Sequence, residues 1–204
     1  MIVASSVNYK AILLFGYPGC GKGTQGEVLA GMPNLLHLAM GDIFRALDKK
    51  SDIGTEFLSY STKGLLVPDE LTVRVWKQHV EKLTADGTLQ PDYHVLLLDG
   101  IPRTPSQVEH LRALVEVLRV IHLGIDDQVV LVNRLKGRAL KSDRPDDADE
   151  RVIRKRIEVY EAETMPVLDA LDRDLITNIN ADQPPLAVLR DIAEALVPVV
   201  PTKI

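Results

Sequence analysis

The chain has 204 residues, of which 46% are hydrophobic and 26% charged, and it carries a formal net charge of −5. This composition predicts one large globular core with small insertions, and the acidic balance gives no reason to expect a nucleic-acid or membrane partner. The single cysteine, Cys20, excludes a disulfide framework and a cysteine-based zinc site. We therefore expect a cytoplasmic protein without zinc. The first ten residues lack the pattern of a signal peptide and predict a short N-terminal extension.

Apolar runs alternate with amphipathic segments along the chain. The apolar runs predict parallel strands at 10–15, 94–99, 119–125 and 174–179, with a weaker one at 35–39. The amphipathic segments predict helices at 21–31, 68–83, 104–118, 126–140, 149–172 and 184–196. This alternation predicts an α/β fold of three layers, with a central parallel sheet of about five strands between two layers of helices. Residues 42–67 and 141–148 interrupt it, and such excursions at the carboxyl edge of a sheet commonly carry function.

A glycine-rich stretch, FGYPGCGKGTQ, follows the first predicted strand. Gly19, Gly21 and Gly23 free the backbone to turn successive N–H groups toward one point, and a helix that begins near Gly21 adds the positive end of its dipole. Lys22 would reach the outer phosphates of a nucleotide. The general phosphate-loop pattern has Ser or Thr directly after the lysine, whereas here Gly23 comes before Thr24. The stretch therefore predicts a phosphate-binding loop of a variant form.

Two further motifs contain charged side chains after predicted strands. In LLLDGIPRTPSQ, Asp99 ends a strand and can hold a magnesium ion through water. Arg103 in the same motif places a cation near the cleft, and Gln107 offers a donor and an acceptor to a purine base. In HLAMGDIFRA, Arg45 could clamp a second phosphate group and Asp42 could add an outer-shell contact to the metal.

Arginines recur late in the chain. Arg134 and Arg138 lie four residues apart on one predicted helix face, Arg144 lies in a polar turn, and Arg156 follows on the next helix. Such a set suits phosphoryl transfer, because guanidinium groups neutralise the charge on the oxygens of the transferred group. The alternative is a solvated charged face, in which the arginines pair with Asp143, Asp146, Asp147 and Asp149.

Taken together, these motifs resemble the adenylate kinase family. The matching segments are GYPGCGKGTQ, GDIFR, GLLVPDE, LLLDGIPRTPSQ, RLKGR and the run from RPDD to RKRIEVY, in the family's order between Tyr9 and Leu196. The Gly-Thr-Gln after Lys22 is this family's own form of the phosphate loop. The resemblance implies a P-loop NTPase-like fold in a single domain over 1–204. It also implies an NMP-binding arm at 42–67 and a short lid at 138–148.

The resemblance further implies an activity and a set of site residues. The implied reaction is the reversible, Mg²⁺-dependent transfer of the terminal phosphoryl group of ATP to AMP, which gives two ADP and serves adenine nucleotide homeostasis, in a monomer. The residues assigned to ATP are Gly19, Cys20, Gly21, Lys22, Gly23, Thr24, Arg134, Arg138 and Gln183. The residues assigned to AMP are Met40, Arg45, Leu65, Leu66, Val67, Gly100, Arg103, Gln107, Arg144 and Arg156. The catalytic residues are Lys22, Arg103, Arg138, Arg144 and Arg156, and the water-mediated Mg²⁺ contacts are Asp99 and Asp42.

The chain departs from the family pattern near the base and in one spacing. The departures are Ala39-Met40 in place of the usual Ser-Thr, Ile101 in place of Phe, and Gln183 in place of Lys. The interval from Arg144 to Arg156 is one residue longer than usual, which makes Lys155 an alternative to Arg156. Two other functions therefore stay open from the sequence. One is a kinase for UMP, CMP or another nucleoside monophosphate, and the other is a weakly catalytic ATP-binding switch or interaction protein.

Overall fold

The computed structural model describes residues 8–140 and 147–200. The strands are β1 (Tyr9–Gly16), β2 (Leu35–Ala39), β3 (Val95–Asp99), β4 (Val115–Gly124) and β5 (Ile176–Asn180). The helices are α1 (Lys22–Leu29), α2 (Met40–Arg45), α3 (Asp52–Ser61), α4 (Asp69–Ala85), α5 (Pro105–Arg112), α6 (Gln128–Ala139), α7 (Glu150–Val159), α8 (Met165–Asp169) and α9 (Pro185–Leu196). A π-helical turn, Tyr160–Thr164, joins α7 to α8, and a 3-10 turn, Arg173–Leu175, precedes β5.

The five strands form one parallel sheet in the order β2-β3-β1-β4-β5. Ala39 of β2 and Leu14 of β1 both pair with Asp99 of β3, so β2 and β3 end at the same level and β1 ends two residues later, at Gly16. The chain leaves them into the glycine-rich stretch, the GDIFR motif and the Asp99 motif. Because carboxyl ends of parallel strands meet at one edge of the sheet, the three motifs lie side by side there.

Helices cover both faces of the sheet. Successive residues of a strand point to opposite faces, so each strand contributes to two separate clusters. Ile12 and Leu14 belong to a buried cluster with Leu131 of α6 and Ile192 of α9. Leu13 and Phe15 belong to a second cluster with side chains of α4 and α5, including Val75, Trp76 and Val108. The predicted α/β fold, with three layers and a parallel sheet of five strands, is confirmed.

Two predicted helices have different bounds in the structure. The helix predicted at 104–118 ends at Arg112, and residues 115–118 belong to β4, where Val115 pairs with Tyr9 and Val117 with Ala11. The sequence prediction was wrong there because apolar residues at 115, 117 and 118 fit either period. The helix predicted at 149–172 is interrupted by the π-helical turn, after which Pro166 lies in the first turn of α8, where its missing N–H costs nothing.

Some expectations fall outside the described residues. These are the N-terminal extension in its first seven residues, Arg144, and the part of the predicted lid at 141–146. The predicted arm at 42–67 contains α3 and most of α2, and its boundaries stay a prediction. Within 8–140 and 147–200, no helix is both long enough and apolar enough to span a bilayer.

Candidate active site

The glycine-rich stretch forms a loop between β1 and α1. Gly21 is the N-cap of α1 with φ 109°, and Gly19 has φ 87°, both in the region that favours glycine. A Cβ atom on Gly19 would lie 3.0 Å from the Leu131 carbonyl oxygen and from Leu135, so the loop also packs too closely against α6 for a side chain. The loop is thus shaped by glycine, and it presents the N-terminal N–H groups of α1, which suit an anion.

Lys22 is the first residue of α1, and its ammonium lies back over the loop. Nζ donates to the carbonyl oxygens of Gly16 at 2.6 Å and Tyr17 at 3.1 Å, and lies 3.7 Å from Cys20 Sγ. Cys20 is 3% exposed, and its backbone N–H donates to the Tyr17 carbonyl oxygen at 3.1 Å, so its contact with a phosphate stays a prediction. The Lys22 ammonium is therefore held on backbone carbonyls of the loop, and its contact with a nucleotide stays a prediction.

Asp99 lies at the end of β3, beside the start of α1. Its Oδ2 is 3.8 Å from His37 Nε2, and a Cβ atom on Gly23 would be 3.9 Å from the same oxygen. Burial raises the pKa of the Asp99 carboxyl, but the His37 imidazole and the charges of Lys22 and Arg103 outweigh burial and hold this pKa below its ordinary value. Asp99 is therefore an ionised carboxylate close to the phosphate loop.

Arg45 and Arg103 lie against glycines on neighbouring segments. A Cβ atom on Gly41 would come within 2.9 Å of the Arg45 guanidinium, and one on Gly100 within 2.9 Å of the Arg103 guanidinium. Arg103 Nε donates to the Gly100 carbonyl oxygen at 3.1 Å, and Arg45 pairs with Asp42 at 2.5 Å. Each guanidinium is thus held by the turn that follows its strand, and the Asp42 carboxylate is engaged by Arg45.

One cleft of about 470 Å³ is lined by the cations of these segments. They are Lys22 from the loop, Arg45 from α2, Arg103 from the turn after β3, and Arg156 from α7, with Lys49 from the segment between α2 and α3. Met40, Gly100 and the three residues 65–67 line the same cleft. The structure therefore brings together predicted residues from both nucleotide sets, although they come from distant parts of the sequence.

The wall of this cleft also contains an aromatic pair that the sequence analysis did not single out. The rings of Phe44 and Phe57 are stacked, with centroids 4.9 Å apart and planes inclined by 2°, and both residues line the cleft near Met40. They join α2 to α3. No local pattern predicts the contact, because the two phenylalanines lie on separate helices.

Gln107 lies beneath the cleft and is not among its lining residues. Its side chain is 99% buried, accepts from the Arg103 backbone N–H at 2.7 Å and donates to Asp69 Oδ1 at 2.7 Å. Asp69 also accepts from the Thr104 hydroxyl at 2.8 Å. The network fixes the backbone of Arg103. Contact between the Gln107 amide and a base stays a prediction, and it requires the amide to give up its hydrogen bond to Arg103 or to Asp69.

Arg138 and Arg156 converge on one carboxylate. Asp147 is 0% exposed, and it accepts from Arg138 Nε at 2.6 Å and from Arg156 at 2.5 Å. Burial raises the pKa of the Asp147 carboxyl, but the two guanidinium groups outweigh burial and hold this pKa below its ordinary value. Asp147 therefore does not belong to a solvated charged face, the alternative that the sequence left open. It is the buried counterion of two predicted phosphate-binding arginines.

Arg134 and Gln183 both hydrogen-bond to backbone at the end of β5 and in the turn after it. Arg134 donates to the Ala181 carbonyl oxygen at 3.1 Å and lies 3.5 Å from Asp182. Gln183 donates to the Asn180 carbonyl oxygen at 2.9 Å, in the same turn after β5. Both residues were assigned to ATP, and the structure places them together, outside the cleft that contains the arm residues.

Arg156 and Lys155 differ in their exposure and in whether they line the cleft. Arg156 lines the cleft and its side chain is 20% exposed. Lys155 pairs with Glu158 at 3.2 Å, is 48% exposed, and does not line the cleft. The geometry supports Arg156 for the late arginine role.

The donors present near the loop fit magnesium held mainly by a nucleotide. In the described part of the chain, no group of three or more His, Cys, Asp or Glu side chains could hold a metal ion. Asp99 is one ionised carboxylate near the phosphate loop. Magnesium keeps several waters and commonly uses one or two carboxylates plus substrate phosphates, so this single carboxylate fits it.

Comparisons with known proteins agree with the motifs. The adenylate kinase family model matches residues 14–175. This chain belongs to the adenylate kinase family. It is 37% identical over 180 residues to an adenylate kinase of Cyanothece sp., covering 85% of this chain and 88% of that protein. It is 38% identical over 178 residues to one of Bifidobacterium longum, covering 83% and 90%, and 33% identical over 192 residues to adenylate kinase 1 of Nostoc sp., covering 91% and 97%.

Family membership settles the class of activity. The chain is a phosphotransferase, as the sequence predicted. The matches favour neither a pyrimidine-specific kinase nor a weakly catalytic switch. The roles of individual residues and the bounds of the arm and lid stay predictions.

Proposed function

We propose that this adenylate kinase family member transfers the terminal phosphoryl group of ATP to AMP reversibly and yields two ADP. The observation that carries the proposal is the convergence of Lys22, Arg45, Arg103 and Arg156 on one cleft. Two nucleotides that meet end to end bring many phosphate charges to one place. A cleft with cations from four separate segments is suited to hold them.

The ATP phosphates lie in the loop from Gly19 to Thr24. There the backbone N–H groups and the helix dipole of α1 bind the anion, and the Lys22 ammonium moves from its backbone carbonyls to the phosphate. Arg134 and Gln183, which both hydrogen-bond to backbone at the turn after β5, contact the nucleoside end. Magnesium, when bound with ATP, neutralises phosphate charge, and the Asp99 carboxylate contacts it through water.

AMP lies on the arm side of the cleft. Arg45 and Arg103 bind its phosphate, since both guanidinium groups line the cleft and lie against Gly41 and Gly100, which closely follow the neighbouring strands β2 and β3. The base lies against Met40 and the residues at 65–67. Asp42 stays the ion-pair partner of Arg45, and its outer-shell role toward Mg²⁺ requires it to share that contact.

Charge stabilisation and in-line positioning carry the chemical step. The acceptor is already a phosphate anion, so no general base is needed. Arg156, Arg138 and Arg144 bind the oxygens of the transferred group, and Asp147 orients the first two before substrate arrives. The lid at 138–148 closes over ATP and excludes water, which otherwise would accept the phosphoryl group.

An acceptor panel tests the choice of AMP. MgATP is supplied with AMP, CMP, UMP or GMP, and formation of the nucleoside diphosphate is measured in each case. We expect the highest kcat/KM with AMP. Equal or higher kcat/KM with CMP or UMP would contradict the assignment and favour a pyrimidine nucleotide kinase. ATP binding without transfer to any acceptor would favour a binding protein.

The remaining properties follow from the family and the composition. We propose that the protein acts as a monomer, in the cytoplasm, in adenine nucleotide homeostasis, and that its partners are ATP, AMP and ADP. The single cysteine is consistent with a reducing compartment.

A further inference from the structure

The hydroxyl group of Tyr160 is buried without a hydrogen-bond partner among the described residues. Tyr160 as a whole is 7% exposed and lines the wall of the active-site cleft. Buried polar groups in folded proteins nearly always have a partner, so each exception asks for an explanation. The phosphate-transfer assignments above do not use this residue.

The position of Tyr160 places the hydroxyl next to the glycine loop. Tyr160 begins the π-helical turn after α7, a local form that often occurs at functional sites. Its ring contacts the ring of Tyr17, with centroids 4.6 Å apart and planes inclined by 46°. Burial raises the pKa of the Tyr160 hydroxyl, as do Cys20 and Tyr17, while the backbone of Gly16 and the charge of Arg103 lower it less. The group is therefore a neutral donor beside Gly16.

The same part of the loop loses a donor when substrate binds. Lys22 Nζ donates to the Gly16 and Tyr17 carbonyl oxygens at 2.6 and 3.1 Å. In the proposed function, Lys22 turns from these oxygens to the phosphates of ATP. The Tyr17 carbonyl oxygen also accepts from the Cys20 backbone N–H at 3.1 Å, so the Gly16 carbonyl oxygen is the one that depends on Lys22. Loss of that donor opposes the movement of Lys22, because an unmade hydrogen bond costs more than a made one gains.

We propose that Tyr160 is a positioning residue for the glycine loop, whose hydroxyl donates to the backbone carbonyl of Gly16 when Lys22 turns to the ATP phosphates. The exchange keeps the loop carbonyls satisfied in both states. It lowers the cost of releasing Lys22 and thereby strengthens ATP binding. The inference rests on the proposed role of Lys22 in binding ATP.

The first test is Tyr160→Phe, which removes only the hydroxyl. ATP binding is measured by calorimetry without AMP, and KM and kcat are measured for both substrates. We expect the ATP dissociation constant and the KM for ATP to rise about three- to tenfold, the value of one hydrogen bond. We expect the KM for AMP to change less than about twofold and Tm to stay the same or rise, because no native hydrogen bond is lost. Unchanged ATP affinity would overturn the proposal.

Tyr17→Phe is the matched control. The ring of Tyr17 packs on that of Tyr160, and the Tyr17 hydroxyl donates to Glu161 at 3.2 Å. The substitution therefore tests the loss of the other tyrosine hydroxyl of the same ring pair. We expect ATP affinity within about twofold of the original chain. An equal loss in both variants would show that the effect is not specific to the Tyr160 hydroxyl and would overturn its role.

A double-mutant cycle with Lys22→Ala tests the exchange itself. Without Lys22, the loop carbonyls lose no donor on ATP binding, so Tyr160→Phe should weaken ATP binding by less than about twofold in that background. A full effect in the Lys22→Ala background would show that the hydroxyl acts independently of Lys22 and would contradict the proposal. If Lys22→Ala alone leaves ATP affinity unchanged, the proposed function of Lys22 fails first, and the two failures are thereby distinguished.

Discussion

Substitution of Asp147 by Asn is expected to destabilise the fold strongly. Asp147 is 0% exposed and neutralises Arg138 and Arg156, whose side chains are 35% and 20% exposed. Removal of one partner from a buried ion pair costs about 3–5 kcal/mol, and partial exposure of both arginines lowers the expected loss to about 2–4 kcal/mol. For a chain of this size, that loss corresponds to a fall in Tm of about 5–15 °C.

The assay is urea unfolding at neutral pH with parallel thermal scans. Asp169→Asn is the control, because Asp169 is 81% exposed and lies 3.9 Å from Arg173, so its loss should cost less than about 0.5 kcal/mol. A loss below about 1 kcal/mol in Asp147→Asn would refute the view that this carboxylate stabilises the arginine pair.

The same substitution has a pH signature. The pKa of Asp147 is held below its ordinary value in the folded state, so its contribution is fully present above that ordinary value and is lost as the pH falls through the folded pKa. Acid should therefore destabilise the original chain more steeply than Asp147→Asn below about pH 4. Parallel curves in this range would contradict the assignment.

Three further predictions concern the nucleotide sites. Lys22→Ala and Arg103→Ala should each lower kcat by several orders of magnitude while circular dichroism shows an intact fold, and near-normal turnover in either would refute its role. Gly19→Ala should weaken ATP binding about tenfold or more, because φ 87° and the 3.0 Å approach to Leu131 and Leu135 leave no room for a methyl group; affinity equal to that of the original chain would count against this loop geometry. Met40→Thr should lower the KM for AMP relative to CMP, because the hydroxyl restores a donor at a 3% exposed position on the cleft, and an unchanged ratio would exclude Met40 as a determinant of base selectivity.

The sequence predicted best what depends on neighbouring residues. The glycine loop between β1 and α1 was predicted because strand, glycines and lysine are contiguous, and the five strands were predicted because each is a short apolar run. The end of α5 was misplaced because residues 115–118 suit helix and strand equally, and only pairing with β1 decides between them.

Features that depend on tertiary contacts were not predictable in this way. Asp147 is buried between arginines of two helices, and Phe44 stacks on Phe57 of another helix. The hydroxyl of Tyr160 is buried without a partner among the described residues. Each of these features depends on how separate elements pack together. Gln107 illustrates the same limit. Its residue type predicted contact with a base, which stays a prediction, and only the structure shows that the same amide hydrogen-bonds to the backbone of Arg103 and to Asp69.

The central claim is that cations from distant segments meet where two nucleotides lie end to end. Its most direct test is the inhibition pattern of a compound in which two adenosines are joined through five phosphates. The account predicts that one molecule binds per chain, competes with both ATP and AMP, and binds at least tenfold more weakly after Lys22→Ala or Arg103→Ala. Competition with only one of the two substrates would contradict the shared cleft.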